Sequence, residues 1–270
     1  MADAIEYTIH GDDMQAVEIE LDPQEGVRAE AGAMLYLETG IEMQTSTGGG
    51  LFAGLKRALT GETFFITSFV NAGATKSRVA FSAPYPGKIL ALDLARHGGS
   101  FLCQKDSFLC AAAGIDIEVA FTRRLGAGLL GGEGFILQKL TGAGLAFVHA
   151  GGTVIQRELA AAETLRVDTG CVVGFAATVD FDIQFIGGFR NALFGGEGLF
   201  LTTLTGPGLV LLQTLPFSRL ADRIVAAAGH AQRGEKTGVA GVGSSVLGGV
   251  CRATADSDGP PPSRRARRWV

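Results

Sequence analysis

One phrase of thirteen residues recurs three times along the chain. Each copy opens with a Gly-Glu turn, continues through an apolar run typical of β-strands, and ends in a second turn that closes on glycine. The copies occupy residues 61–73, 132–144 and 196–208. Self-similarity at this spacing indicates three related structural units, so residues shared by all copies are first of all architectural.

The sequence before each phrase supports the same division. A segment of alternating apolar and charged residues comes first, at residues 17–21, 89–94 and 154–159. A second apolar segment follows, at residues 33–37, 108–110 and 171–175. A short acidic strand comes last, at residues 40–44, 114–118 and 179–184. Short strands at this spacing, without a long helical period, predict an all-β protein with three tandem units at residues 5–86, 87–152 and 153–216.

A glycine-rich apolar stretch that includes a basic residue lies between the acidic strand and the Gly-Glu turn of each unit. Glycine permits positive φ and close backbone approach, so these stretches predict bends or packing points rather than helices. Exposed apolar side chains there would suit a subunit interface or a membrane or partner surface, and the sequence leaves both open. The candidate interaction residues are Phe52, Leu55, Leu129, Leu130, Phe189 and Phe194.

The glutamate of the Gly-Glu turn is the polar residue that all three copies share. The three positions are Glu62, Glu133 and Glu197. Three equivalent carboxylates could converge on a pseudo-threefold axis and bind a cation. The interpretation that we favour is structural: each carboxylate accepts backbone N–H bonds within its own turn.

The sequence contains no motif for catalysis or metal binding. Its four histidines are scattered, no Gly-x-Ser-x-Gly elbow occurs, and no two cysteines form a Cys-x-x-Cys pair. We therefore expect no catalytic residue, no metal, no cofactor and no enzymatic activity. Cys103, Cys110 and Cys171 lie in apolar runs and are predicted to be small core residues.

Charge is distributed unevenly along the chain. The net charge is −4, yet residues 252–270 hold five arginines and two aspartates, which leaves about −7 for the preceding body. Nucleic-acid binding needs clustered Lys and Arg, so we expect none for the body. The acidic N-terminus does not resemble a signal peptide, and no apolar run is long enough to span a bilayer. The prediction is a cytoplasmic protein.

A helix is predicted after the third unit, at residues 217–233. Ser218 can serve as its N-cap, an apolar stripe follows one face, and Gly229 or Gly234 could end it. Glycine, serine, proline and charged residues dominate residues 234–270, so this tail is predicted to be disordered.

Three features together resemble a known family: the Gly-Glu repeats followed by aromatic residues, the Pro-Phe-Ser-Arg-Leu-Ala-Asp-Arg-Ile run at residues 216–224, and the glycine-rich end. They resemble the bacterial branch of the mitochondrial biogenesis family named for altered inheritance of mitochondria, over about residues 5–233. The resemblance implies a TRAP-like fold with three double-stranded β-helix units per chain, and homotrimers in which nine units close a ring. It implies no catalytic residues. RNA binding by the related tryptophan-responsive attenuation protein is not transferred, because the body here is acidic.

The sequence and the resemblance together predict a non-enzymatic, ring-forming homo-oligomer that acts as a scaffold or binding protein. A charged fraction of 19% favours extensive self-association. Further expected partners are a membrane surface or an unidentified protein, with a peripheral location at the inner membrane. The alternative is a small-ligand binding protein with sites between units. A third hypothesis is an enzyme whose site the sequence does not show.

Overall fold

The computed structural model describes residues 2–30, 32–44, 66–123, 135–185 and 200–236, with helix side chains up to residue 227. Within these ranges the protein is mostly β, with several sheets and a single α-helix at the C-terminal end. The prediction of a β protein with a C-terminal helix is confirmed.

Nineteen strands are described. The first ten are β1 (Glu6–His10), β2 (Ala16–Leu21), β3 (Gly26–Glu30), β4 (Met34–Leu37), β5 (Ile41–Gln44), β6 (Ile66–Asn71), β7 (Ser77–Ser82), β8 (Gly87–Asp93), β9 (Ser100–Gln104) and β10 (Phe108–Ala112). The others are β11 (Asp116–Arg123), β12 (Phe135–Thr141), β13 (Leu145–Gly151), β14 (Val154–Leu159), β15 (Thr164–Asp168), β16 (Val172–Ala176), β17 (Asp180–Phe185), β18 (Phe200–Thr205) and β19 (Gly208–Gln213).

The described strands form four sheets. Two sheets have six strands, in the orders β5-β6-β3-β10-β13-β8 and β11-β12-β9-β16-β19-β14. A four-stranded sheet has the order β1-β2-β7-β4, and a three-stranded sheet has the order β15-β18-β17. The pairs in the registers are antiparallel, for example β2 with β7 and β13 with β8.

The order of pairing follows one rule from β2 onward. In each run of six consecutive strands, the first, last and third strands are neighbours in one sheet, and the second, fifth and fourth are neighbours in the next sheet. The runs are β2–β7, β8–β13 and β14–β19. Each six-stranded sheet therefore combines three strands of one run with three of the following run.

Local sequence explains which strands have a solvated face. In β2, Val17, Ile19 and Leu21 are buried while Glu18 and Glu20 between them are half-buried, as the side-chain period of two requires. By contrast, β10 and β16 lie in the middle of the six-stranded sheets and every residue of both is buried. Their continuous apolar runs fit strands covered on both faces.

Aromatic side chains fill two connected parts of the core. The larger cluster includes Phe69, Phe81 and Phe147 and extends from the four-stranded sheet into the six-stranded sheets. The second cluster surrounds Phe135 and Phe175, in the C-terminal half of the described strands. Because the larger cluster crosses from one run of strands to the next, the runs are expected to unfold together.

The C-terminal helix, α1, spans Phe217–Lys236. It starts one residue before the predicted cap, Ser218, and continues past Gly229 and Gly234, where the sequence suggested an end. The described residues up to Ala226 form one compact unit. The tail that was predicted to be disordered lies outside the described residues from position 237 onward.

Candidate functional site: the open strand edges

The nine residues singled out from the sequence all lie outside the described part of the chain. They fall in the segments 45–65, 124–134 and 186–199. The interaction candidates are Phe52, Leu55, Leu129, Leu130, Phe189 and Phe194, and the turn candidates are Glu62, Glu133 and Glu197. Their roles stay predictions. The described residues instead show a candidate site at the edges of two sheets.

Two strand pairs, which we call the inner joins, connect consecutive runs of strands. β3 pairs with β10, and Ala29 lies opposite Cys110. β9 pairs with β16, and Cys103 lies opposite Gly174. In both joins the penultimate residue of a five-residue strand faces the third residue of its antiparallel partner. The inner joins therefore share one register.

A β-bulge lies beside each inner join, and β4 carries the same irregularity. The register of β10 with β13 shifts between Phe108 and Cys110, and that of β16 with β19 shifts between Val172 and Gly174. On β4 the shift against β7 also falls between the first residue, Met34, and the third, Tyr36. A bulge bends a strand and re-aims its side chains. β4 thus has the same backbone irregularity as β10 and β16, the two bulged strands of the inner joins.

β4 differs from those two strands because its outer edge has no partner among the described strands. All four of its side chains are apolar or aromatic and exposed: Met34 39%, Leu35 54%, Tyr36 41% and Leu37 39%. Such an edge presents unpaired N–H and C=O groups together with apolar surface, which makes it a template for pairing with another strand.

β15 is the open edge at the other end of the strand order. Within the described strands it pairs only with β18, whereas its counterparts β3 and β9 are paired on both sides. Leu165 and Val167 on β15 are half-buried. A hydrogen bond of 2.9 Å between the hydroxyls of Thr169 and Thr202 ties the residue that follows β15 to β18. The edge is therefore held in place although its outer side is open.

Charged side chains surround the face of β4's sheet. The Tyr36 hydroxyl donates to Glu18, and this hydrogen bond is the main cause that raises the pKa of Tyr36. Glu20 accepts from Arg78 at 2.8 Å and pairs with Lys76 at 3.0 Å, which lowers the pKa of Glu20. Tyr36, Lys76 and Arg78 are exposed and the two glutamates are half-buried, and ion pairs at a surface contribute little to stability. They orient the side chains around the β4 edge.

His149 on β13 is buried, and both of its ring nitrogens lack a hydrogen bond of ordinary geometry. It is only 1% exposed. The Tyr85 ring lies edge-on to the imidazole, with centroids 4.4 Å apart. Burial lowers the pKa of His149 to about 4, and a contact with the Tyr85 backbone opposes only part of this shift.

Strand register explains why His149 lacks partners. His149 on β13 corresponds to Gln213 on β19. His149 lies opposite Ile89 near the start of β8, and Gln213 lies opposite Val154 at the start of β14. Gln213 donates to the Gly170 carbonyl at 2.9 Å and accepts from the Gly151 N–H at 2.8 Å. The residue that corresponds to Gly151 before β8 is Pro86, three residues ahead of Ile89. Proline has no N–H, so it cannot donate to His149 as Gly151 donates to Gln213.

The described cysteines have the character of core residues rather than nucleophiles. Cys103 and Cys110 are buried and Cys171 is half-buried, and all three are free thiols. Burial raises the pKa of Cys103 to about 12 and that of Cys110 well above its usual value. Burial also raises the pKa of Cys171. Because the thiolate is the reactive form, these thiols are poor nucleophiles at neutral pH.

Within the described ranges, no group of three or more His, Cys, Asp and Glu side chains is arranged to hold a metal ion. No helix in the same ranges has the length and apolar character needed to cross a bilayer.

The geometry defines a multi-sheet β protein in which β4 and β15 are edge strands of the described sheets, whereas their counterparts in the other runs are paired on both sides. The family model described as "Mitochondrial biogenesis AIM24" matches residues 7–215, and the chain belongs to this family. A similar protein is an uncharacterised protein of Streptococcus pyogenes serotype M6, 26% identical over 216 residues, which cover 77% of this chain and 84% of that protein. A crystal structure of a Streptococcus pyogenes protein has a TM-score of 0.68 at 23% identity, covering 83% of this chain and 99% of that one. The structural likeness shows a shared fold.

Sequence reasoning found four of the six strands in each run and missed the other two. The segments matched in the three copies correspond to the first, third, fourth and fifth strands of each run. The missed second strands are β3, β9 and β15, and the first two of them make the inner joins. The sequence did hold a signal for the open edge in the third strand of the first run. Met34–Leu37 is as apolar as its counterparts β10 and β16, which are buried in the middle of a sheet.

Proposed function

We propose that this protein is a non-enzymatic scaffold or binding protein that assembles into a homo-oligomeric ring, with β15 of each copy pairing with β4 of the next. The observation that carries the proposal is the exposure of all four side chains of β4, while every residue of the corresponding β10 and β16 is buried.

The proposal includes an internal triplication. Three runs of six strands follow one pairing rule, and the third strand of each run has its bulge at the same place. We interpret the runs as three TRAP-like units, consistent with the repeated phrase in the sequence. Within the chain, the second strand of one unit pairs with the third strand of the following unit. This leaves the second strand of the last unit, β15, and the third strand of the first unit, β4.

The inner joins give the register that is expected between copies. If the penultimate residue of β15 faces the third residue of β4, as in the inner joins, Val167 of one copy lies opposite Tyr36 of the next. Arg166 then lies opposite Leu37, and Leu165 lies opposite Glu38. Ring closure pairs both edges and removes the apolar strip from water.

The family resemblance favours three copies per ring, so that nine units close it. A closed ring is also the symmetric solution for a head-to-tail interface, because an interface of this kind that does not close produces filaments.

The binding role is proposed for the strands that flank the segments 45–65, 124–134 and 186–199. Each segment connects the fourth and fifth strands of its run. The described fourth strands carry exposed large apolar side chains beside these segments, namely Met43 at 55%, Val119 at 43% and Phe185 at 56%. Together with the six interaction candidates, they would form an apolar surface toward a membrane or a protein partner, with a peripheral location at the inner membrane.

The strand pairing can be tested by disulfide trapping in the full chain. Tyr36→Cys and Val167→Cys in one chain, with Cys251→Ser, should give covalently linked chains under mild oxidation on a denaturing gel. The matched control, Tyr36→Cys with Thr164→Cys, displaces one thiol by three residues and should give little product. Equal linking of both pairs, or of neither, would contradict the proposed register.

The apolar surface needs a separate test, because assembly and binding are different claims. The triple variant Phe52→Asp, Leu129→Asp, Phe194→Asp should sediment less with anionic vesicles than the unmodified protein, while its native mass stays the same. Equal sedimentation of the two proteins, with assembly intact, would rule out membrane contact through these residues.

A further inference from the structure

Helix α1 exposes apolar side chains although it is attached to a folded body. Phe217 is 53% exposed, Ile224 60% and Val225 70%. At 100° per residue these positions, with the half-buried Leu220 and Ala221, form one stripe along the helix. A helix with an apolar stripe in water gains most of its stability from packing, so this face calls for a partner.

The first turn of α1 is fixed beside the open edge of β15. Nη2 of Arg219 lies 2.6 Å from Oδ2 of Asp168, the last residue of β15. The Phe217 ring lies 5.4 Å from the Tyr85 ring, and Pro216 before the helix is buried. The hydrogen bond from Arg219 raises its pKa, as a bond to a charged partner should. The stripe therefore begins at the edge where a neighbouring copy would pair.

The place of α1 in the chain points to the same edge. After β7 and β13, a short linker leads the chain into the next run of strands. Each linker contacts that run: the Tyr85 ring packs edge-on against His149 of β13, and the Thr153 N–H donates to Thr214, which follows β19. After β19 there is no further run in the described chain, and α1 begins four residues on, at Phe217. The helix thus follows the point at which the chain would enter a further unit.

We infer that the apolar stripe of α1 docks on the β4 strand of a second copy of this chain, with Ile224 contacting Leu35. This inference rests on the proposed ring. With Val167 opposite Tyr36, Asp168 is the next residue of β15 toward Leu35 of the neighbour, at the bulge where the paired residues of the inner joins end. Arg219 binds Asp168, and Ile224 lies one and a half turns further along the helix. Leu35 is the most exposed side chain of β4, at 54%.

The charges of the first turns of α1, where the stripe lies, favour a protein neighbour over a lipid surface. Arg219 is already paired with Asp168, and Asp222 offsets Arg223. Helices that bind anionic membranes instead carry several unpaired basic residues on their polar face. An occupant that continues the apolar strip of β4 suits the stripe better.

The first experiment is site-specific trapping in the full chain. Leu35→Cys with Ile224→Cys, in the Cys251→Ser background, should give covalently linked chains with a short bismaleimide. The matched pair, Leu35→Cys with Arg223→Cys, turns the thiol about 100° around the helix, away from the stripe, and should give at least fivefold less product. Equal or no product from both pairs, while Tyr36→Cys with Val167→Cys still links, would overturn the helix contact and leave the ring standing.

The second experiment measures association without cross-linking. Ile224→Asp should weaken self-association at least tenfold in dilution series followed by mass photometry, whereas Arg223→Ala, with the same change in net charge, should stay within twofold. If Ile224→Asp instead reduces only sedimentation with phosphatidylglycerol vesicles, the stripe faces lipid and the inference fails. If the strand pair does not link either, the proposed ring and the helix contact fail together.

Discussion

At the scale of single residues, His149 shows how one linker residue changes the environment of a buried side chain. Gln213 occupies the corresponding place in the third run and makes two hydrogen bonds, one of them from the Gly151 N–H. With Pro86 in the corresponding linker position, His149 has no such donor to accept from. A buried polar group without partners lowers stability. It also makes stability depend on pH.

His149→Met should make the protein less sensitive to acid. The folded-state pKa of His149, about 4, lies below its ordinary value of 6.5. Between these values the unfolded chain binds a proton that the folded chain does not, so the free energy of unfolding falls as pH decreases from 6.5 to 4. The full effect is about 3 kcal/mol. Urea unfolding at pH 7 and pH 4.5 should show a smaller difference for the variant.

Carboxylates also titrate in this range, so the comparison must be between the two proteins at each pH. The His10→Met variant serves as the control, because His10 is exposed. The explanation is wrong if His149→Met and the unmodified protein lose equal stability between pH 7 and pH 4.5.

At the scale of elements, the inner join between β9 and β16 depends on close backbone approach. A Cβ on Gly174 would lie 2.5 Å from the Leu102 carbonyl oxygen and 3.0 Å from Cys103 Cα, both backbone atoms of the paired strand. These contacts cannot be relieved by rotating a side chain, so the strands would have to separate.

Gly174→Ala should therefore destabilise the protein by about 1–3 kcal/mol, measured as a lower urea midpoint. Gly170→Ala is the matched control four residues away, since its nearest contact would be an ordinary 3.6 Å. It should change stability by less than about 0.5 kcal/mol. If the two variants prove equally stable, the join does not require glycine at position 174.

At the scale of the whole molecule, the open edges of β4 and β15 predict the state of assembly. The unmodified chain should have a native mass of about 84 kDa, three times its 28.0 kDa. Tyr36→Glu places a charge in the proposed interface and should shift the mass toward 28.0 kDa, because burying an unpaired charge costs about 3–5 kcal/mol. Light scattering after gel filtration measures both masses.

Glu18→Ala is the control for this substitution, since it removes the acceptor of the Tyr36 hydroxyl without adding charge to β4. Circular dichroism should show that Tyr36→Glu keeps its β content. A folded Tyr36→Glu variant with an unchanged native mass would show that β4 lies outside the interface, and a monomeric unmodified chain would refute the ring.

The sequence by itself determined the β class, the C-terminal helix and the family, because these depend on local signals. Side-chain alternation in β2, the Gly-Glu phrase and the stripe of α1 can all be recognised within a few residues. The same kind of local pattern predicted the second apolar segment of each copy, which corresponds to β4, β10 or β16 in the structure.

Only the tertiary structure decided which strands are joined and which edges stay open. β3 and β9 are five-residue strands with weak local patterns, and their pairing with β10 and β16 depends on contacts far apart in sequence. Likewise, Met34–Leu37 has the apolar character of a central strand, and its exposure appears only when its neighbours are placed. Local sequence determines how a strand forms, but burial depends on what lies beside it.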